Sequence, residues 1–237
     1  MSHRKAARTP IESDCKLTKP ENADEQAMAK YPFQNLIWAL MYLSVTTRPD
    51  IAFAVNFMSQ FNSNYDEEHW KAGKRILRYL SGFKGYGLLF TKSSREIYGV
   101  VDADWGPNLT DRRSYSGYAF ILAGAAISWE ARKQRIVALS STETQYMALS
   151  KDLGMANKRV LLFNDSQSAN KLIQCMGYRS RTKHIDVRHH FVKECHRSGK
   201  IELNYMPSED MPADVLTKGL SVQKHNKCIA AFSVLLM

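Results

Sequence analysis

From Tyr31 onward the chain passes from apolar stripes at helical spacing to short apolar runs of strand length. In YPFQNLIWALMYLSVTTRPDIAFAVNFMSQF, Leu36, Ile37, Leu40, Met41 and Leu43 recur at the spacing of one helix face. The break at TTRPD puts Pro49 at the opening of a second helix carrying Phe53, Val55, Phe57 and Met58. DEEHWKAGKRILRYLSGFKG predicts a third: Asp66 to Glu68 lead, Trp70, Ile76, Leu77 and Leu80 form the stripe, and Gly82 stops it. After Gly85 the period changes, and YGLLF, EIYGVVDADW, SGYAFILAG and AAISWEARKQRIVALS read as strands separated by turn residues. STETQYMALSKDLG follows as a helix with a Ser/Thr start and a Gly stop. RVLLFNDSQSANKLIQ reads as strand then helix, RTKHIDVRHHFVKECHRSG as a helix and KIELNYMP as a strand. SEDMPADVLTKG reads as a short acidic-led helix, and CIAAFSVLLM as a terminal helix. The fold class expected from this order is mixed α/β, a sheet covered by helices and preceded by a helical segment. The division predicted is a flexible basic and polar arm over residues 1–30, a helical segment over 31–92, a sheet domain over 93–220 and a tail or helix over 221–237.

Charge narrows the partners. The chain has 33 Lys and Arg against 23 Asp and Glu, a net charge of +10, which suits a polyanion such as nucleic acid. No basic amphipathic helix is long or one-sided enough to favour a membrane surface. No apolar run approaches the roughly eighteen residues that span a bilayer. Cys15, Cys175, Cys195 and Cys228 are widely spaced with no CxxC pair, which points to a reducing compartment rather than a disulfide framework. The N-terminal MSHRKAARTPIESDCKLTK has charge but no apolar core, so no secretory signal is expected. An intracellular location, cytoplasm or nucleus, is the expectation.

The carboxylates carry the candidate chemistry. Asp102 and Asp104 end an apolar strand, Asp165 ends the fourth long strand, and Asp214 lies in the last short helix of the sheet domain. A lone aspartate at a strand end is usually a turn former. Several converging on one point are what two-metal phosphodiester hydrolysis needs, each metal taking part of its oxygen shell from Asp or Glu. In a mixed sheet the strands ending at Asp102 and Asp165 can lie side by side, although strand order is not visible in sequence.

Several stretches resemble the C-terminal part of copia-type retrotransposon polyproteins. They are LMYLSVTTRPDIAFAV, HWKAGKRILRYLSG, DADW followed by DRRSYSGYAF, ISWEARKQ, VALSSTETQYMALS, NDSQSA, RTKHIDVRHHF and PADVLTK, in the family's order over about residues 31–219. The resemblance implies the tail of a reverse transcriptase leading into a ribonuclease-H-like domain over 93–220. That domain would have a mixed five-stranded sheet and an Asp-Glu-Asp-Asp site that cleaves the RNA strand of an RNA–DNA hybrid with Mg²⁺. By motif, Asp102 resembles the first carboxylate, Asp165 the third and Asp214 the fourth, while Asp104 would be a structural neighbour. At the second, relatives resemble SSTEAEY, whereas here SSTETQY puts Gln145 in place of the glutamate. Glutamine can offer an oxygen but no charge. Glu143, two residues earlier and roughly 200° around the helix, is no substitute. The segment between MALSKDLG and VLLFND is also shorter than the family pattern, and the polymerase's own catalytic region is absent. The expectation is a truncated, partly degenerate ribonuclease H type endonuclease, weak or inactive, with a weakened two-metal Mg²⁺ site at Asp102, Asp165 and Asp214.

Arg112, Arg113, Arg132, Lys133, Arg135, Arg179, Arg181 and Lys183 fall in loops or at element ends around the proposed site. They suit hybrid phosphates, giving affinity with little sequence specificity; solubilising surface charge is the alternative. His184, Asp186, His189, His190, Cys195 and His196 invite a zinc reading, but their spacing matches no common site. RILR, comprising Arg75, Ile76, Leu77 and Arg78, satisfies the R-x-L-R pattern of oomycete effectors. A pattern with three fixed positions is weak evidence, and the retrotransposon-like helix already explains it. A second reading nevertheless stays open: a repurposed, non-catalytic protein, secreted as an RxLR-type effector and acting on host proteins inside a host cell.

Overall fold

The computed structural model describes residues 5–20, 28–92, 96–104, 113–134, 159–174 and 192–237. Helices α1 (Phe33–Thr46), α2 (Ala52–Ser59) and α3 (Glu67–Gly82) come first, with a 3₁₀ turn, Pro49–Ile51, opening α2 where Pro49 sits at its first position. Strands β1 (Tyr86–Leu88), β2 (Tyr98–Asp104), β3 (Tyr115–Leu122), β4 (Ala125–Lys133) and β5 (Val160–Asn164) follow. Then come α4 (Gln167–Gln174), helical residues 192–197, β6 (Ile201–Tyr205), a 3₁₀ helix Pro212–Leu216, α5 (Val222–Ala231) and β7 (Val234–Leu236).

The start of α3 shows why the sequence stops and starts where it does. Asp66 caps it, accepting from the backbone N–H groups of Glu68 and His69, while the His69 ring bonds back to the cap. Burial pushes the Asp66 carboxyl up, but its hydrogen bonds from His69 outweigh that and hold it below the usual carboxylate range. The cap therefore contributes stability above about pH 4 and loses it as pH falls through the lowered folded value. Asp66→Ala should cost about 1 kcal/mol in urea unfolding at neutral pH. Equal stability of the two proteins at pH 7 would reject this role.

The buried face of α3 is His69, Gly73, Ile76 and Tyr79; of the expected stripe Ile76 is buried, while Trp70, Leu77 and Leu80 only flank the core. The reason is close approach. A Cβ on Gly73 would lie 3.1 Å from Leu36 Cδ2, so the missing side chain lets α1 and α3 meet there. Burial of His69 and Tyr79 is offset by pairing of His69 Nδ1 with Asp66 and by the Tyr79 hydroxyl donating to Asp50. Residues 5–20 contain no helix or strand, and they pack rather than hang free, with Ala7, Thr9, Pro10 and Ile11 buried beside α3.

Five strands form one mixed sheet in the order β4-β3-β2-β5-β6. The β2–β3 and β3–β4 pairs are antiparallel, and β2–β5 and β5–β6 are parallel. One face carries Val100, Tyr115, Ala119 and Ala126 against α1, α2, α3, the Pro212–Leu216 turn and α5 in a continuous core. The other carries Val101, Ala103, Leu162 and Leu203 against Ile173 of α4 and Val192 and Cys195. This alternation along β2 follows from its two-residue period, and it puts Asp102 on the same face as Val100. The indole of Trp129 on β4 donates to the Ser44 carbonyl at 2.7 Å, tying sheet to α1.

Two expectations change. YGLLF does not join the main sheet: β1 pairs with β7 as a separate antiparallel ribbon, Tyr86 opposite Leu236. The C-terminal apolar run is accordingly not one helix. It leaves α5 at Ala231, reverses at Ser233 with φ 53°, and pairs as strand because Phe232 and Val234 are both fully buried there. The short helix read in SEDMPADVLTKG is of 3₁₀ type, with Pro212 at its start and the Thr217 N–H to Asp214 carbonyl bond of 3.2 Å closing it. Among the described residues, no helix is long and apolar enough to cross a membrane, and Cys15, Cys195 and Cys228 are free thiols.

Candidate active site

Asp102 lies on β2, and Asp165 comes immediately after the end of β5, the parallel neighbour of β2. The β2–β5 register ends with Val100 opposite Phe163, and Asp102 and Asp165 each lie two residues further along the chain. Neighbouring strands lie about 5 Å apart. Asp165 is the first residue beyond β5, whereas Asp102 is interior to β2, which runs on to Asp104. Asp102 is only 1% exposed.

Asp214 reaches Asp102 because a glycine makes room. Gly117 of β3 is the cross-strand partner of Asp102. A Cβ there would lie 2.4 Å from Leu216 Cβ and 3.1 Å from both the Leu216 carbonyl carbon and Thr217 Cγ2. The 3₁₀ turn therefore lies directly on the sheet at this point. Its consequence is polar: Thr217 Oγ1 donates to Asp102 Oδ2, and Lys218 Nζ stands 3.5 Å from the same oxygen and 2.8 Å from Asp214 Oδ1. Lys224, in the first turn of α5, puts its Nζ 3.0 Å from Asp214 Oδ2 and donates to the Ser208 carbonyl at 2.6 Å. Ser208 Oγ in turn donates to Asp165 Oδ2 at 2.7 Å. A single polar chain thus runs from Asp165 through Ser208, Lys224, Asp214 and Lys218 to Asp102.

The electrostatics follow from burial among like charges. Burial, and then the neighbouring Asp102 charge, push the Asp214 carboxyl up to about 6 against the opposing pull of Lys218 and Lys224. Burial also raises Asp104, with Asp102 adding to it and Lys218 opposing. For Lys218, burial alone would lower the ammonium, but the charges of Asp102, Asp214 and Asp104 outweigh it and hold it above the usual lysine range.

Of the residues singled out above, the structure brings Asp102 and Asp214 together around one cation and ties Asp165 to Ser208. Among the described residues, no group of three or more His, Cys, Asp or Glu side chains is arranged to hold a metal ion. The donor chemistry nonetheless suits Mg²⁺: buried carboxylate oxygens converge on a position that holds a positive charge. Of the basic residues, Arg113 is exposed, Arg132 lies 3.5 Å from Glu130 of its own strand, and Lys133 donates to Gln60 at 2.9 Å. Gln145, Glu143, Arg112, Arg135, Arg179, Arg181, Lys183, His184, Asp186, His189 and His190 lie outside the described residues. Arg75 pairs with Glu12 of the N-terminal segment at 2.7 Å and Ile76 is 1% exposed, so two residues of RILR are engaged by the fold.

Thr217, Lys218, Lys224, Ser208 and Gly117 were not singled out from the sequence. Lys218 had a signal, since the i, i+4 spacing from Asp214 places both on one side of a helical turn.

The sheet order, with its three antiparallel strands followed by two parallel ones, is the ribonuclease-H-like arrangement. Relatives by sequence identify the lineage. The chain is 38% identical over 245 residues to the Retrovirus-related Pol polyprotein from transposon TNT 1-94 of Nicotiana tabacum, covering 96% of this chain and 18% of that one. It is 35% identical over 204 residues to the corresponding polyprotein from transposon RE1 of Arabidopsis thaliana, covering 80% and 14%. The chain belongs to the copia-type retrotransposon Pol polyproteins, of which it spans under a fifth of the length. Secreted RxLR effector protein 161 of Plasmopara viticola is 51% identical over 124 residues, covering 52% of this chain and 87% of that protein. No protein-family model matches the chain. LC11-RNase H1, solved in complex with an RNA/DNA hybrid, overlaps 52% of this chain and 94% of its own at 14% identity and a TM-score of 0.41, too loose a likeness to bear on the site.

Proposed function

We propose that this chain is a retrotransposon-derived ribonuclease-H-like protein that binds RNA–DNA hybrid, with Asp102, Asp165 and Asp214 as Mg²⁺ ligands and phosphodiester cleavage weakened by Gln145. The observation that supports the reading is that Asp102 and Asp214 share Lys218 across the close approach at Gly117, while Asp165 follows the strand parallel to that of Asp102. Mg²⁺ held there would polarise the scissile phosphate and activate the attacking water. The chain's own part is to converge the carboxylates, exclude water beneath the 3₁₀ turn and meet the hybrid backbone with basic residues such as Arg113. Gln145 supplies no charge where the family has a glutamate, and each ~1.4 kcal/mol lost is about tenfold in rate or affinity.

A hybrid-cleavage assay in Mg²⁺ or Mn²⁺, run beside a hybrid-binding measurement, tests this. The parent should bind hybrid and cleave it near background, and Gln145→Glu should raise cleavage at least tenfold (~1.4 kcal/mol) with binding unchanged. Cleavage by the parent at the rate of an ordinary enzyme would refute the degenerate site. Absence of hybrid binding would refute the substrate.

The identity with the Plasmopara viticola effector favours a second reading, a secreted protein acting by binding inside a host cell. Under it, hybrid binding is absent and Gln145→Glu has no effect. Arg75 and Ile76 would then serve the fold rather than a free recognition string, since Arg75 pairs with Glu12 and Ile76 is buried.

A further inference from the structure

Both oxygens of Asp214 are held by lysines, Lys218 at 2.8 Å and Lys224 at 3.0 Å, and Lys218 reaches on to Asp102 at 3.5 Å. Asp102 and Asp214 are 1% and 4% exposed, and two buried negative charges this close need a counter-charge from somewhere. In a two-metal nuclease that charge is the metal. Here it is supplied by the chain. We propose that Lys218 is a built-in counter-ion occupying the cation position between Asp102 and Asp214, so that a divalent metal enters only by displacing its ammonium.

This rests on Asp102 and Asp214 being the ligands named above, and the two lysines differ in a way that assigns the displaceable role to Lys218. Lys224 is anchored a second time, donating to the Ser208 carbonyl at 2.6 Å, and its side chain is 20% exposed. Lys218 has a 33% exposed side chain on a backbone fixed by its N–H to the Asp214 carbonyl at 3.1 Å. A four-carbon stem on a fixed backbone can swing its ammonium to solvent without unfolding the turn. The exchange balances: one ammonium leaves the carboxylates and regains water, and one hydrated dication sheds part of its shell to take the same oxygens. Lys224 remains, so Asp214 is never left without a cationic neighbour. The arrangement lets the fold close without metal and lowers metal affinity.

Mn²⁺ titration of the full chain, followed by the loss of the free-ion electron paramagnetic resonance signal, tests this without any substrate. Lys218→Met, close in shape and uncharged, should bind Mn²⁺ at least tenfold more tightly than the parent, and its thermal midpoint should rise with Mn²⁺ where the parent's does not. Lys218→Arg should behave as the parent, and the gain should vanish in Lys218→Met combined with Asp102→Asn. Measurable and equal affinity in parent and Lys218→Met overturns the counter-ion and leaves the ligands standing. No Mn²⁺ binding in either overturns both. A gain that survives Asp102→Asn places the metal elsewhere and overturns the inference. If Lys218→Met does not fold, the parent decides alone with Lys218→Arg: Mn²⁺ binding by the parent as tight as that of an unobstructed carboxylate site overturns the proposal.

Discussion

Asp50→Ala should destabilise the protein by about 3–5 kcal/mol, the cost of leaving one partner of a buried ion pair uncompensated. Asp50 accepts from Arg48 Nε at 2.9 Å, Arg48 Nη2 at 2.7 Å and the Tyr79 hydroxyl at 2.7 Å, and all three residues are buried. The remaining Arg48 guanidinium nitrogen donates to the Phe83 carbonyl at 3.3 Å. Burial would lower the Arg48 guanidinium, but its pairing with Asp50 outweighs that and holds it above its usual range. Burial, and then the Asp50 charge, likewise raise the Tyr79 hydroxyl. His225 of α5 meets the Tyr79 ring edge-on at 5.4 Å, so the network joins the early helices to the C-terminal one. Burial holds that imidazole below its usual range, which suits a neutral ring against Tyr79. Urea unfolding followed by circular dichroism measures the loss. Asp50→Asn, which keeps the acceptor oxygen, should lose less than Asp50→Ala. A loss under about 1 kcal/mol for Asp50→Ala would mean that the network contributes no more than an exposed pair.

The second large effect is expected at Gly117. Gly117→Ala places a methyl carbon 2.4 Å from Leu216 Cβ and 3.1 Å from that residue's own carbonyl carbon. Neither is a side-chain tip that can rotate away, so the 3₁₀ turn itself must lift. Overpacking of this kind costs about 1–3 kcal/mol. Here the displaced element also carries Asp214, Thr217 and Lys218, so the Asp102 contacts should go with it. Gly99→Ala is the matched control on the neighbouring strand. Its Cβ would meet the tips of Leu162 at 2.4 Å and Phe120 at 3.0 Å, which can turn aside. Comparable losses in the two variants, or a Gly117→Ala protein as stable as the parent, would remove the glycine's special role.

The elements were legible where their signals are local. The three early helices, the strand through Asp102 and the strand ending before Asp165 follow from periodicity, and the acidic lead of α3 marks its cap at Asp66. Misreadings occurred where partners come from far along the chain. The terminal CIAAFSVLLM has no internal feature that makes half of it helix and half strand; the open edge of β1 settles that. Of the α3 stripe only Ile76 is fully buried, because the face beside it takes in His69 and Tyr79, whose pairing with Asp66 and Asp50 periodicity does not weigh.

For the site, motif resemblance named Asp102, Asp165 and Asp214, but Lys218 and Lys224 look like ordinary surface charge in sequence. Only the close approach at Gly117 buries Asp214 and turns Lys218 inward. By itself the sequence determined the residue types and their spacing, because these are properties of a linear string. The tertiary structure alone decided that β2 and β5 are parallel neighbours and that the cation between Asp102 and Asp214 belongs to the chain. Strand order and burial are set by the summed packing of both sheet faces, and no short window of sequence carries that sum.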